Sequence, residues 1–118
     1  MSDRLVSIVL PIHDQADHVA AMVREHVAAL AAAEVHHEMI LVPNACRDES
    51  AKRCYDLADE LASVRVVEIE AGGWGRAVRA GLAAATGDLL CYTNSARTMS
   101  DDLVLLISLA LAHPEIVV

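Results

Sequence analysis

Phenylalanine is absent from this 118-residue sequence, and aromatic residues make up only 3% of it. Hydrophobic residues nevertheless account for 55% of the chain, and Ala, Val and Leu dominate among them. A core without large rings must be built from many small side chains. That composition suits helices packed closely on a buried parallel sheet, whose strands are continuous apolar runs.

Basic residues and long apolar runs are also scarce. Nine Lys and Arg stand against 17 Asp and Glu, a net charge of −8, so little is available to neutralise nucleic-acid phosphates. The longest apolar stretch, residues 103–112, is interrupted by Ser108 and falls short of the ~20 residues that a membrane span needs. The N-terminus leads directly into a strand-like segment and does not look like a signal peptide. We therefore expect no nucleic-acid partner, no transmembrane segment in this chain and a cytoplasmic location.

The sequence has no obvious disulfide framework or metal site. Its three cysteines, Cys46, Cys54 and Cys91, form no C-x-x-C pair, which predicts reduced thiols. Its six histidines show no spacing that would complete a tetrahedral zinc site, so we interpret them as surface or helix-end residues. Cys46 precedes a predicted helix and could act as a nucleophile only with a nearby base.

Apolar periodicity predicts strands that alternate with helices. The predicted strands are residues 6–12, 39–42, 64–69 and 89–93, and the predicted helices are residues 15–33, a segment after Asp48, residues 76–85 and residues 101–112. Asp14 and Asp48 are predicted to cap the first two helices, and Gly87 to close the third. The pattern predicts an open, mainly parallel, Rossmann-like α/β sheet with helices on both faces. Residues 116–118 would begin a fifth strand, so we expect residues 1–118 to be a single domain cut from something longer.

Four polar loops follow the predicted strands. They comprise residues 11–14, 43–48, 72–75 and 93–97. The carboxyl ends of parallel strands lie at one edge of a sheet, and ligands bind there, so we expect these loops to meet at one rim.

The third loop, Gly72-Gly73-Trp74-Gly75, suits the approach of an anion to a helix N-terminus. Arg76 and Arg79 would then donate charge-assisted hydrogen bonds to phosphate. The spacing matches neither the dinucleotide fingerprint nor the P-loop. The structural alternative is a tight turn followed by close helix packing through small residues, namely Ala77, Ala80 and Gly81.

Three segments resemble family-2 glycosyltransferases of the GT-A fold. VSIVLPIHDQADHV is similar to the family's first strand and its Pro-x-Tyr-Asn-Glu turn. ILVPNACRDESAKRC stands where the family has a strand followed by Asp-Asp-Gly-Ser. AGGWGRAVRAGLAAATGDLLCYTNSA resembles its Gly-x-Gly-x-Ala-x-x-x-Gly helix, the next strand and the Asp-x-Asp motif.

The resemblance implies a site for a nucleotide-diphosphate sugar. Pro11, Ile12 and His13 would line the base pocket, and Asn44 stands at the position of the base-contacting acid. Gly73 and Gly75 would shape the turn beside the nucleotide. The stretch that holds the Asp-x-Asp motif corresponds to Thr93, Asn94, Ser95 and Ala96.

Several positions depart from the family pattern. Pro43-Asn44 replaces an acidic pair, which leaves only the Asn44 amide to bind a base. A divalent Mn or Mg ion is usual for the family, but Asn94 and Ala96 replace both aspartates, and an amide and a methyl group are poor ligands. We therefore predict no metal site. Trp74 stands where a lysine is common, and the family's acceptor half is absent from these residues.

Two functions remain open on the sequence. In the first, a glycosyltransferase transfers a sugar from a nucleotide diphosphate to an unknown acceptor with inversion, and Arg76, Arg79 and Arg97 stabilise the leaving diphosphate. In the second, the domain is an inactive nucleotide-binding or interaction module, whose sheet edge at Val118 would favour self-association as a homo-oligomer. A lesser third alternative is an unrelated small nucleotide or cofactor binder.

Overall fold

The computed structural model describes residues 4–93 and 99–112, in which strands and helices alternate. The strands are β1 Val6–Ile12, β2 His37–Pro43, β3 Val64–Val66 and β4 Leu89–Tyr92, and the helices are α1 Val19–Ala32, α2 Ser50–Glu60, α3 Trp74–Ala84 and α4 Ser100–Ala112. The sheet order is β3-β2-β1-β4, and all its pairings are parallel. The predicted α/β sheet is confirmed. The predicted fifth strand at 116–118 lies outside the described residues.

The sheet has a core on each face because successive strand residues point to opposite sides. Ile8 and Leu10 of β1 are fully buried on the face covered by α1, α2 and α4. Val9, between them, is fully buried against Ala77 of α3 on the other face. Burying one such aliphatic side chain contributes about 1.5–3 kcal/mol, so these two layers fix the sheet between its helices. Helices on both faces were predicted and are found.

Helix α3 lies close to the sheet because its inner face is made of small residues. Ala77 is fully buried, and a Cβ added to Gly81 would collide with the side chains of Val9 and Val42. The predicted packing through Ala77 and Gly81 is therefore confirmed. Glycine at position 81 lets the helix axis approach β1 and β2 more closely than any other residue would allow.

The prediction that Asp14 caps the first helix is wrong. Helix α1 begins at Val19, and its N-cap residue, His18, makes no side-chain capping bond. Asp14 instead has a left-handed backbone with φ 47°. Its carboxylate accepts the backbone N–H of Arg47 at 2.7 Å, a contact from the next strand–helix loop. Local spacing could not reveal this partner.

The prediction that Gly87 closes the third helix is also wrong. Helix α3 ends at Ala84, and Ala85 is its C-cap. The N–H of Gly87 donates to Ser7 Oγ at 2.8 Å, and an added Cβ would lie 2.7 Å from the Leu5 carbonyl oxygen. Glycine is required here because the chain passes directly against β1.

Two further helix starts differ from expectation in opposite ways. Helix α3 begins at Trp74, two residues earlier than predicted, because Gly73 at φ 125° is its N-cap. Helix α2 begins later than predicted, because its N-cap is Glu49 and not Asp48, and Glu49 makes no side-chain capping bond. The Asp48 carboxylate nevertheless accepts the Ser50 N–H at 2.8 Å beside the start of the helix.

The strand order reverses between β1 and β4. Chain order runs outward from β1 through β2 to β3, and α3 then crosses back to place β4 on the other side of β1. In open α/β sheets, ligands bind outside the carboxyl ends of the strands where the order reverses. The loops that follow β1 and β4 are therefore the first place to look for a site.

Candidate functional site

The glycine turn and the end of β4 meet at one rim of the sheet. The rings of Trp74 and Tyr92 are in edge contact, with centroids 5.2 Å apart and planes at 72°. Both side chains are about half exposed. The Thr93 N–H donates to the Val9 carbonyl at 3.1 Å, which fixes the last described residue of this stretch beside β1. The predicted convergence is thus confirmed as far as Thr93, and residues 94–97 lie outside the described part of the chain.

Asn44 ties the glycine turn to the ends of β1 and β2. Its Nδ2 donates to the carbonyls of Ile12 at 2.9 Å and Val42 at 3.2 Å, and its Oδ1 accepts the Gly73 N–H at 3.3 Å. The residue is only 4% exposed. Both donor hydrogens of the amide are thus used within the protein, and a base contact at Asn44 stays a prediction. Asn44 positions the loops around it.

His13 is the exposed member of the predicted base-pocket triplet. Pro11 and Ile12 are buried, and the Ile12 side chain belongs to the core beneath the rim, so neither presents a side chain to a ligand. Their role in lining a base pocket stays a prediction. The His13 Nδ1 donates to the Asn44 carbonyl at 2.8 Å, since a carbonyl can only accept. Its Nε2 lies 3.5 Å from the Asp14 carboxylate, which forms an ion pair when the ring is protonated.

The loops after β1 and β2 are bonded to each other in both directions. Asp14 accepts from the second loop, and Asp48 of the second loop accepts the Ala16 N–H at 3.2 Å. The Ser50 Oγ also accepts the Gln15 N–H at 2.6 Å. Hydrogen bonds from Ser50, followed by those from backbone N–H groups, hold the pKa of the Asp48 carboxyl below its usual value although partial burial opposes them. This part of the rim is therefore preorganised.

The first turn of α3 contains a basic residue and no acidic one. Gly73 provides no side-chain cap, and the first turn contains no acidic residue. Arg76 and Arg79 are exposed, and neither belongs to an ion pair within residues 4–93 and 99–112. Positive side chains at a helix N-terminus oppose the helix dipole unless an anion lies between them. The arrangement favours binding of an anion.

Glycine stands at four positions of this region for different structural reasons. Gly73 occupies a backbone conformation that side-chain-bearing residues rarely adopt. A Cβ on Gly72 would lie 3.1 Å from the Cβ of Ala45, so the turn packs tightly there, whereas a Cβ on Gly75 would meet nothing within 4 Å. Gly75 thus leaves open space at the first turn of α3. Gly81, further along, serves packing alone.

The described residues do not fit a divalent cation. No group of three His, Cys, Asp or Glu side chains converges within the described ranges. Asn94, Ser95, Ala96 and Arg97 lie outside them, and the first and third of these supply one neutral amide and one methyl group in place of two carboxylates. The prediction of a metal-free site stays a prediction.

Other expectations concern the thiols and membranes. All three cysteines are free thiols, as predicted, and burial raises the pKa of Cys54 to about 12 and that of Cys91 to about 11. Both are therefore poor nucleophiles. Within the part of the chain that the structure describes, no helix has the length and apolar character to cross a bilayer.

Sequence reasoning missed the aromatic contact at the rim. The resemblance marks Trp74 only as a replacement for lysine, and the apolar pattern places Tyr92 in a strand without indicating a contact. A signal was present, because a chain with one Trp and two Tyr places two of these three at ends of elements that face the predicted rim. The contact spans 18 positions of sequence, and only the crossover of α3 brings its partners together.

Comparison with known proteins agrees with this geometry. A family model for glycosyl transferase family 2 matches residues 7–118. An undecaprenyl-phosphate 4-deoxy-4-formamido-L-arabinose transferase from Enterobacter sp. (strain 638) is 31% identical over 87 residues, which cover 72% of this chain and 27% of that protein. The chain thus spans about a quarter of the length of this curated relative.

Solved glycosyltransferases share the fold. A mannosyltransferase from Pyrobaculum calidifontis, solved with GDP-Man and Mn2+, superposes with a TM-score of 0.67 at 18% identity, covering 91% of this chain and 32% of that one. Glucosyl-3-phosphoglycerate synthase from Mycobacterium tuberculosis, solved with UDP, superposes with a TM-score of 0.64 at 21% identity. The match covers 96% of this chain and 40% of that one. At these identities the likeness shows the GT-A fold alone. Because the family model matches nearly the whole sequence, the chain belongs to glycosyl transferase family 2.

Proposed function

We propose that the carboxyl rim of the sheet binds a nucleotide-diphosphate sugar, and that this chain supplies the donor-binding half of a transferase. The observation that carries the proposal is the convergence of Asn44, Gly73 and the Trp74–Tyr92 contact beside the basic start of α3. Two structural relatives, solved with GDP-Man and with UDP, support it because they share the fold. The sugar, the base and the acceptor are left open by this proposal.

The diphosphate would lie against the first turn of α3. The N–H groups of Trp74, Gly75 and Arg76 precede the first intrahelical donor, Ala77, whose N–H bonds to the Gly73 carbonyl at 3.0 Å. Helix-terminal N–H groups of this kind bind phosphate oxygens. The Arg76 guanidinium, two residues into the helix, and Arg79, one turn later, would add charge-assisted hydrogen bonds. Thr93, Asn94 and Ser95 would approach from the β4 side, as the family resemblance implies.

These groups would act on the leaving diphosphate. When the bond between the anomeric carbon and the phosphate oxygen breaks, its electron pair remains on that oxygen, and the acceptor hydroxyl attacks from the opposite side and gives inversion. The arginines would stabilise the developing charge where the family pattern has a carboxylate-bound cation. We include Arg97 in this set from its sequence position. We assign none of the residues in the described ranges 4–93 and 99–112 as the base that takes the acceptor proton.

The compartment follows from the thiols. Three free cysteines fit a reducing environment, so we place this chain in the cytoplasm. A test is the redox state of Cys46 in protein isolated under alkylating conditions, where a Cys46 that escapes alkylation because it is already oxidised would contradict the assignment.

Calorimetric titration tests donor binding. The chain is titrated with UDP, GDP and their sugar conjugates, with and without Mn2+, and we expect binding that does not require the ion. Arg76→Ala should weaken binding about tenfold or more, since a hydrogen bond to a charged group is worth roughly 1.5–3 kcal/mol. Arg24→Ala is the matched control, because Arg24 pairs with Glu60, the last residue of α2, at the end of that helix away from the rim. Absence of binding to every nucleotide would remove the proposal.

A further inference from the structure

We infer that the nucleobase of the donor is recognised by stacking on the Trp74 ring, with Tyr92 bracing that ring, and that the site therefore accepts pyrimidine and purine nucleotides with similar affinity. This inference rests on the proposed function. It adds two residues to the site and names how the base is selected.

The first observation is the exposure of the two rings. Trp74 is 49% exposed and Tyr92 is 52% exposed, although aromatic residues are rare in this chain. They meet edge to face, with centroids 5.2 Å apart. In that geometry one ring directs only its edge at the other, so each ring retains at least one face that its partner does not cover. The pair holds the indole in place and still leaves aromatic surface available.

The second observation is the position of Trp74. Gly73, its immediate neighbour, donates its N–H to Asn44 Oδ1 at 3.3 Å. Adjacent Cα atoms are about 3.8 Å apart, so the Trp74 backbone lies next to the position where the family resemblance puts the base contact. On its other side, Arg76 marks the proposed diphosphate position. A base on the indole would thus lie within the reach of one nucleotide.

The third observation is that the Asn44 amide has no donor left to read a base edge. Both hydrogens of the Asn44 amide are donated to backbone carbonyls, those of Ile12 and Val42. The residue is 4% exposed. Of the described residues in the predicted base pocket, His13 alone exposes its side chain. Stacking needs no such groups, because every base has a π face, and it discriminates little between bases.

Intrinsic fluorescence tests the inference directly, because Trp74 is the only tryptophan in the sequence. The chain is titrated with UDP, GDP and inorganic pyrophosphate. We expect UDP and GDP to quench the emission with dissociation constants within about fivefold of each other. Pyrophosphate should bind, by calorimetry, without quenching.

Substitutions separate stacking from fold effects. Trp74→Ala should weaken UDP and GDP about tenfold by calorimetry and leave pyrophosphate unchanged, while Trp74→Phe should restore most of the affinity. Tyr92→Ala should reduce the quenching amplitude of Trp74, and Tyr92→Phe should preserve it, which identifies Tyr92 as a positioning residue. Tyr55→Ala removes an exposed ring on α2 and should change nothing.

The outcomes distinguish this inference from the function beneath it. If nucleotides bind with unchanged affinity to Trp74→Ala, or without quenching, the stacking assignment is overturned and the donor-binding proposal stands. A preference above about thirtyfold for one base overturns the tolerance claim. If the unaltered chain binds no nucleotide at all by calorimetry, both fall together.

Discussion

The two ends of the sheet use polar groups in opposite ways. At the amino end, Ser7, Glu38, Arg65, Thr86 and Gly87 form what we term the amino-end clamp, in which the groups bond to one another. At the carboxyl rim, the loops after β1 and β2 are bonded to each other, but the Trp74 and Tyr92 rings and the arginines of α3 remain exposed. The clamp therefore serves stability, and the rim keeps groups available for a ligand.

The clamp is centred on one carboxylate. Glu38 accepts hydrogen bonds from Ser7 Oγ at 2.5 Å and from the Thr86 N–H at 2.7 Å, and it pairs with Arg65 at 3.2 Å. Burial alone would raise the pKa of Glu38, but these hydrogen bonds and the Arg65 charge outweigh it and hold the pKa below its usual value. The clamp joins β1, β2, β3 and the loop before β4.

The largest effect should come from Gly87→Ala in the clamp. The added Cβ would lie 2.5 Å from Ser7 Oγ and 2.7 Å from the Leu5 carbonyl, and the backbone cannot easily yield there. We expect a loss of about 3 kcal/mol in the free energy of unfolding, measured by urea denaturation. Nucleotide affinity of the folded protein should be unchanged. A loss below about 0.5 kcal/mol would mean that the clamp is not a tight structure.

Glu38→Gln should have the next largest effect. It removes the charge that pairs with Arg65 and weakens the bonds from Ser7 and Thr86, at a cost of about 2 kcal/mol. Because the folded pKa of Glu38 is lowered, its contribution is present above the unfolded pKa of about 4.3 and is lost as the pH falls through the folded value. Urea denaturation between pH 3 and pH 6 should show a shallower acid loss in the variant than in the unaltered chain. Parallel curves would contradict this account.

The rim offers a matched pair of smaller effects at two glycines two positions apart. Gly73→Ala forces a side chain into φ 125° and should cost about 1–2 kcal/mol. Gly75→Ala lies in the first turn of α3 with open space around it and should stabilise by about 0.5 kcal/mol or more. Thermal unfolding of both variants measures the difference. The same sign for both would show that backbone conformation does not decide the turn.

The smallest effect is a pH dependence near the start of α4. His26 is buried, and its Nδ1 bonds to Ser100 Oγ at 2.6 Å while its Nε2 has no partner among the described residues. Burial lowers the pKa of His26, with a weaker opposing effect from Glu25. The unfolded chain therefore binds the proton first as the pH falls below about 6.5, and stability declines. His26→Leu should make the free energy of unfolding less sensitive to pH between 7.5 and 5.5, and an unchanged slope would assign the effect elsewhere.

The sequence predicted those parts of the fold that depend on local pattern. The apolar run at residues 6–12 predicted the sheet and its crossovers. The small residues on the inner face of α3 predicted the close packing at Gly81. The hydrogen-bond partners of Asp14, Gly87 and Asn44 could not be predicted, because they lie about 30 to 80 positions away, where spacing carries no information. Their local propensities suggested caps and a free amide, and tertiary contacts overrode both.

The sequence predicted which loops form the rim, but not which of their side chains are exposed to solvent. Glycines after a strand identified the correct loop, and the Trp74–Tyr92 contact confirms that this loop meets the end of β4. Which side chains remain exposed could not be predicted. Ile12 and His13 are neighbours in sequence, yet one is in the core and the other is on the surface.

The account depends on a nucleoside diphosphate binding at the carboxyl rim, which backbone amide chemical shifts test most directly. On addition of UDP to the labelled chain, we predict that the largest shifts occur at Gly73, Gly75 and Thr93. The amides of Ser7, Glu38 and Gly87 in the clamp should remain unperturbed. Shifts centred on the clamp, or none at saturating UDP, would contradict the account.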